Sequence, residues 1–96
     1  MAGPSLRMAH TQPSMSTTSA AALAANQARE YALFVNDGAV TVYLRLGATA
    51  VANQGIRLEA NGGSYEISRT QGNLYTGVVD GITATGTATV LVTEGL

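Results

Sequence analysis

Residues 32–47 read "ALFVNDGAVTVYLRLG", and this stretch predicts a β-hairpin. With Asp37-Gly38 as a two-residue turn of the primed type, Asn36 opposes Ala39, Val35 faces Val40, Leu33 faces Val42 and Tyr31 faces Leu44. One face of the ribbon is then apolar, as cross-strand pairing requires. The other face pairs Ala32 with Tyr43, Phe34 with Thr41 and Glu30 with Arg45. An opposite-charge pair falls into the register that the apolar residues select.

The same logic extends outward. In "IRLEANGGSYEIS" (56–68) a turn at Gly62-Gly63 would set Glu59 against Glu66. A turn at Asn61-Gly62 sets Arg57 against Glu66 and Glu59 against Ser64, with Ile56/Ile67 and Leu58/Tyr65 on one face, and is the expected register. "NLYTGVV" (73–79) reads as a strand and Asp80-Gly81 as a turn. "GITATG" (81–86) is a strand extension or a loop, and "TATVLVTE" (87–94) a terminal strand with Ala88, Val90 and Val92 pointing one way. Short strands between glycine-marked turns at intervals of about ten residues predict an all-β chain: a small antiparallel β-sandwich, or small barrel.

Residues 1–28 differ in character. They contain both prolines and all three methionines, and Arg7 is their one formal charge. They read as an extended N-terminal arm before a β-sandwich domain over 29–96. Leu6, Arg7, Met8, Met15 and Leu23 are spaced irregularly, as anchors along such an arm. The alanine run 20–25, with Ser19 as N-cap, would make a short helix of marginal stability. "SAAALAA" lacks a preceding apolar h-region, which argues against a secretory signal.

Bulk composition narrows the function. The 96 residues include no cysteine, so neither a disulfide nor a thiolate metal site is available. Charged residues make up 11% of the chain, for a net charge of -1, against about 25% in an average soluble domain. So small and weakly charged a domain is expected to oligomerise or pack on other protein. Arginines stand singly at 7, 29, 45, 57 and 69, without the clustering that nucleic acid requires, and no apolar run approaches the roughly 18 residues of a membrane span.

Catalytic, cofactor and metal sites are not expected. His10 is the lone histidine and lies in the arm, and the carboxylates of Glu30, Asp37, Glu59, Glu66, Asp80 and Glu94 are scattered. Asp37 and Asp80 precede glycine and read as turn residues. A Glu59/Glu66 acid pair for glycoside hydrolysis is separated by the preferred register. Tyr31 and Tyr65 fall on expected core faces, whereas Tyr43 and Tyr75 are candidates for a subunit interface, where tyrosine is enriched.

Residues 32–68 and 73–96, and most distinctively "LGATAVANQGIRL", "NGGSYEIS" and the ending "LVTEGL", resemble small virion structural proteins of tailed bacteriophages. The similarity covers most of 29–96, and the arm carries no matching motif. The resemblance implies a capsid decoration (cement) protein, assembled in the bacterial cytoplasm and seated on the outer capsid surface of the virion. It implies the major capsid protein as partner, a homo-oligomer with a trimer favoured, and no catalytic residues. Under it, Leu6, Arg7, Met8, Met15 and Leu23 would form the capsid-contact arm. The alternative is a tail or tail-fibre component that binds host glycan.

Overall fold

A computed structural model describes residues 7–96; Leu6, expected as an arm anchor, lies outside the described residues. The strands are β1 (Met8–Thr11), β2 (Ser14–Met15), β3 (Ala20–Leu23), β4 (Tyr31–Asn36), β5 (Val42–Leu46), β6 (Ile56–Leu58), β7 (Ser64–Ser68), β8 (Val79–Thr83) and β9 (Ala88–Gly95). They form two antiparallel sheets, one in the order β1-β9-β4-β7 with β2 also on β9, the other β3-β8-β5-β6. The all-β sandwich expected from the glycine-punctuated alternation is the fold.

Between the sheets lie Ala32 and Phe34 of β4, Ile67 of β7, and Ala88, Val90 and Val92 of β9. They meet Val42 and Leu44 of β5, Leu58 of β6 and Val79 of β8, with Met15 and Ala22 completing one cluster. The terminal strand follows its period-two pattern: Ala88, Val90 and Val92 all point inward.

The pairing of strands departs from the hairpins expected. β4 pairs with β7 and β9, and β5 with β6 and β8, so β4 and β5 belong to different sheets. None of the expected pairs across Asp37-Gly38 forms. A primed turn needs positive φ at its central residues, and neither Asp37 nor Gly38 adopts it. Asn36 turns the corner instead. Its buried amide donates to Val40 O (2.8 Å) and Leu58 O (3.1 Å), while its Oδ1 accepts from Gly38 N–H (2.9 Å). This inverts the expected face of β4: Ala32, Phe34 and Asn36 are buried, and Tyr31, Leu33 and Val35 face out.

Asn61 (φ 61°) and Gly62 (φ 122°) do take the left-handed backbone that their sequence favours. Yet they carry the chain from β6 in one sheet to β7 in the other, so Arg57/Glu66 and Leu58/Tyr65 are not ladder partners. The two turn sequences bond to each other: Gly62 N–H donates to Asn36 O (2.7 Å) and Asn61 N–H to Gly38 O (2.9 Å). Asp80-Gly81, expected as a turn, lies inside β8, and 73–78 is an irregular crossing rather than a strand.

The N-terminal segment is extended but lies within the sandwich. β1 and β2 run along β9, β3 runs along β8, and the alanine run expected to be helical supplies β3. Arg29, 1% exposed, fastens this segment to the rest. Its Nε donates to Glu94 Oε2 (2.8 Å), and its terminal nitrogens donate to Tyr75 O (2.7 Å), Gly77 O (3.1 Å) and Ala24 O.

Candidate interaction surface

The topology exposes one face of each sheet, and the two faces differ. On the first sheet, residues alternate with the buried set, so Met8 and His10 of β1, Leu91 and Thr93 of β9, Tyr31, Leu33 and Val35 of β4, and Ser64 and Glu66 of β7 share the outer face. Leu33 stands between Thr93 and Glu66, and Val35 between Leu91 and Ser64. Met8 is 46% exposed and Leu91 39%. An apolar band on so small a domain is the type of surface that packs against protein.

The face carries little charge. Glu66 bonds to Gln71, and to the phenol of Tyr31 diagonally across from it. That hydrogen bond, followed by burial and the carboxylate's charge, pushes the Tyr31 phenol above its ordinary value. Glu30, expected opposite Arg45, is held in a fork by Arg69 (2.8 and 2.9 Å), and Arg57, expected opposite Glu66, pairs with Glu59 at 2.7 Å. Both ion pairs are solvent-exposed and contribute about 1 kcal/mol or less.

The second sheet's outer face is partly roofed. Residues 47–55, between β5 and β6, fold back over Tyr43 and Ile82. Ala50 N–H donates to Ser19 Oγ (2.9 Å), and Tyr43 OH donates to Asn53 Oδ1 (2.9 Å). Two shallow clefts flank Tyr43: one of about 280 Å³ lined by Asn53, Gln54, Gly55 and Arg57, and one of about 300 Å³ between the 39–41 segment, Ala60 and Ala84-Thr85.

The residues expected to make contacts are therefore dispersed. Met15 is 1% exposed and sits in the core against Gly81, and Leu23 packs on the core from β3; neither is free to anchor an arm elsewhere. Arg7 and Met8 are exposed at the start of β1, with Arg7 and Leu96 exchanging backbone bonds (3.2 and 3.0 Å). Tyr43, expected at an interface, is 9% exposed beneath the 47–55 roof. Tyr75 packs against the core, its hydroxyl against Gly47 and Gly77. The outer-face residues Tyr31, Leu33 and Val35 were expected in the core, because β4 is apolar on both faces and its period does not say which one is inside.

His10 Nδ1 lies 3.1 Å from Thr93 Oγ1 on the exposed edge, and among the described residues no three histidines or carboxylates gather where they could hold a metal. Comparison of the chain with protein-family models, with characterised proteins and with solved structures finds no match.

Proposed function

We propose that this chain is a non-enzymatic structural protein of a tailed-phage virion, of the decoration (cement) type. It binds the outer capsid surface and strengthens contacts between major capsid proteins. The observation that supports this reading is the outer face of the first sheet, where Leu33, Val35 and Leu91 form an apolar band, with Met8 exposed farther along the same face, on a chain with only 11% charged residues. Such a band gains most when a protein partner covers it. A modest interface repeated at symmetric capsid sites would gain strength through multivalency. The major capsid protein enters this proposal as the partner implied by the resemblance of 32–68 and 73–96 to phage virion proteins.

The test is co-sedimentation of the purified chain with capsids that lack it. Saturable binding at a stoichiometry set by capsid symmetry is the expected result, together with loss of binding in folded Leu91→Arg. A folded chain that stays in the supernatant, or a Leu91→Arg variant that binds as well as the parent, would overturn the reading. The second reading, a tail component recognising host glycan, is favoured by the Asn53, Gln54 and Arg57 lining of the cleft beside Tyr43. Binding of cell-surface polysaccharide, lost in Gln54→Ala, would select it.

A further inference from the structure

A β-sandwich has four sheet edges, and each presents backbone groups able to pair with another strand. Three of the four are closed here. Along β7, Asn73 occupies the side away from β4: its Oδ1 accepts from Ser68 N–H and its amide donates to Glu66 O, both at 2.9 Å. β6 is three residues long, and its last carbonyl, Leu58 O, accepts from Asn36. β3 is interrupted by a register shift between Ala21 and Leu23, an irregularity that twists an edge away from further pairing.

β1 has none of these devices. Met8–Thr11 keep an unbroken register against β9, and all four residues are exposed. Arg7 and Leu96 exchange both of their backbone bonds, which makes theirs a narrow pair. By alternation Ala9 and Thr11 also direct their backbone groups at β9, and Met8 and His10 direct theirs away from the sheet. Among the described residues, nothing donates to or accepts from these outward groups.

We propose that β1 is the edge by which two copies of this chain join, antiparallel about a two-fold axis at Ala9. The outward residues are separated by one position, so the strand is complementary to itself. Met8 meets His10 of the second copy and His10 meets its Met8, giving two narrow pairs. β1 carries no acid or arginine, so a copy of itself meets no like charge. Each exposed Met8 side chain lands beside an imidazole, a favourable sulfur–aromatic contact. The two sheets then run on as one, β7-β4-β9-β1 against the copy's β1-β9-β4-β7. Four residues from each copy bury less than a permanent interface needs, so the dimer depends on concentration. This inference goes beyond the virion reading and departs from the trimer that the resemblance implies.

Sedimentation equilibrium of the full chain over a range of concentrations tests it, and a monomer–dimer equilibrium is expected. His10→Pro removes an outward N–H together with the imidazole's exposed contact with Thr93 and blocks that side of the edge, while proline is tolerated there because the His10 backbone N–H points away from β9. This variant should dimerise at least tenfold more weakly with an unchanged melting temperature. Ala9→Cys provides an independent reading in a cysteine-free chain. At the axis the two Cα atoms would stand about 4.5 Å apart, within disulfide range, so mild oxidation should yield a covalent dimer. A chain that is monomeric throughout, a trimer, a dimer unaffected by His10→Pro, or a dimer that Ala9→Cys does not cross-link would each overturn the proposal. None of these results decides capsid binding, which co-sedimentation reads separately.

Discussion

Arg29 donates to one carboxylate and three carbonyls from a fully buried position, joining the end of β3, the 73–78 crossing and β9. Its removal leaves Glu94 buried without its cation, a situation that costs about 3–5 kcal/mol. Arg29→Met should lower the urea midpoint accordingly, with an unchanged slope of free energy against denaturant. Adding Glu94→Leu should return part of that loss by removing the stranded charge, while the three carbonyls remain unpartnered. A double variant no more stable than Arg29→Met would show that Glu94 is not the source of the cost. Tyr31 makes a prediction about pH. Its folded-state value lies above the unfolded one, so the stability it contributes is complete below about pH 10 and lost as pH rises through the raised value. Tyr31→Phe should therefore lose less stability than the parent as pH rises above about 10; identical alkaline unfolding curves would contradict this. Neither residue's role was legible in the sequence. Arg29 appeared as one of five isolated arginines, and its carboxylate partner lies 65 positions away. Residue type shows what a side chain is able to donate, and only the fold decides what it reaches.

At the level of elements, period-two alternation identified strands well and neighbours poorly. β9 was legible because its apolar residues fall on one face and its polar ones on the other. β4, Tyr-Ala-Leu-Phe-Val-Asn, is apolar on both, so an expected hairpin assigned its inner face to the residues that point outward. Asp37-Gly38 suits a tight turn, but Asn36 has three backbone partners waiting at the inter-sheet corner, and satisfying them displaces the hairpin. The glycine serves a different need there: a Cβ at Gly38 would press on Ala88, closer than atoms approach. Gly38→Ala is predicted to cost about 1–3 kcal/mol through overpacking, even though its φ is one that alanine adopts freely. A urea titration of this variant beside Gly62→Ala separates the causes, because Gly62 has positive φ and open space around it. Gly38→Ala should lose stability by crowding, with partial recovery in Gly38→Ala/Ala88→Gly. No recovery in the double variant would point to backbone strain.

For the molecule as a whole, the decisive question is whether 29–96 stands alone. Composition divided the chain at residue 28, since methionine, proline and alanine dominate before it and β-branched residues after it. Composition does not report pairing, and the pairing crosses that boundary. β1 and β2 cover one side of β9, β3 covers β8, Met15 and Ala22 are core residues, and Ala24 O accepts from Arg29. Removal of Met15 alone is worth about 2–5 kcal/mol by comparison with similar core truncations, against the roughly 5–15 kcal/mol that hold a domain together. Deleting residues 2–28 also bares the edges of β9 and β8, which invites strand pairing between chains. The truncated chain should show no cooperative thermal transition by circular dichroism, or should elute as aggregate. A transition within a few degrees of the full chain would refute the view that the N-terminal segment is structural. Failure of that truncation to bind capsids would then say nothing about an arm, because an unfolded chain binds nothing specifically. Deleting residues 2–6 is the informative alternative, since it leaves all three N-terminal strands in place. If the capsid contact expected of the arm lies within 2–6, that shorter deletion melts with the parent and loses capsid binding; if it binds as the parent does, the contact lies on the sandwich itself, and Leu91→Arg becomes the deciding variant.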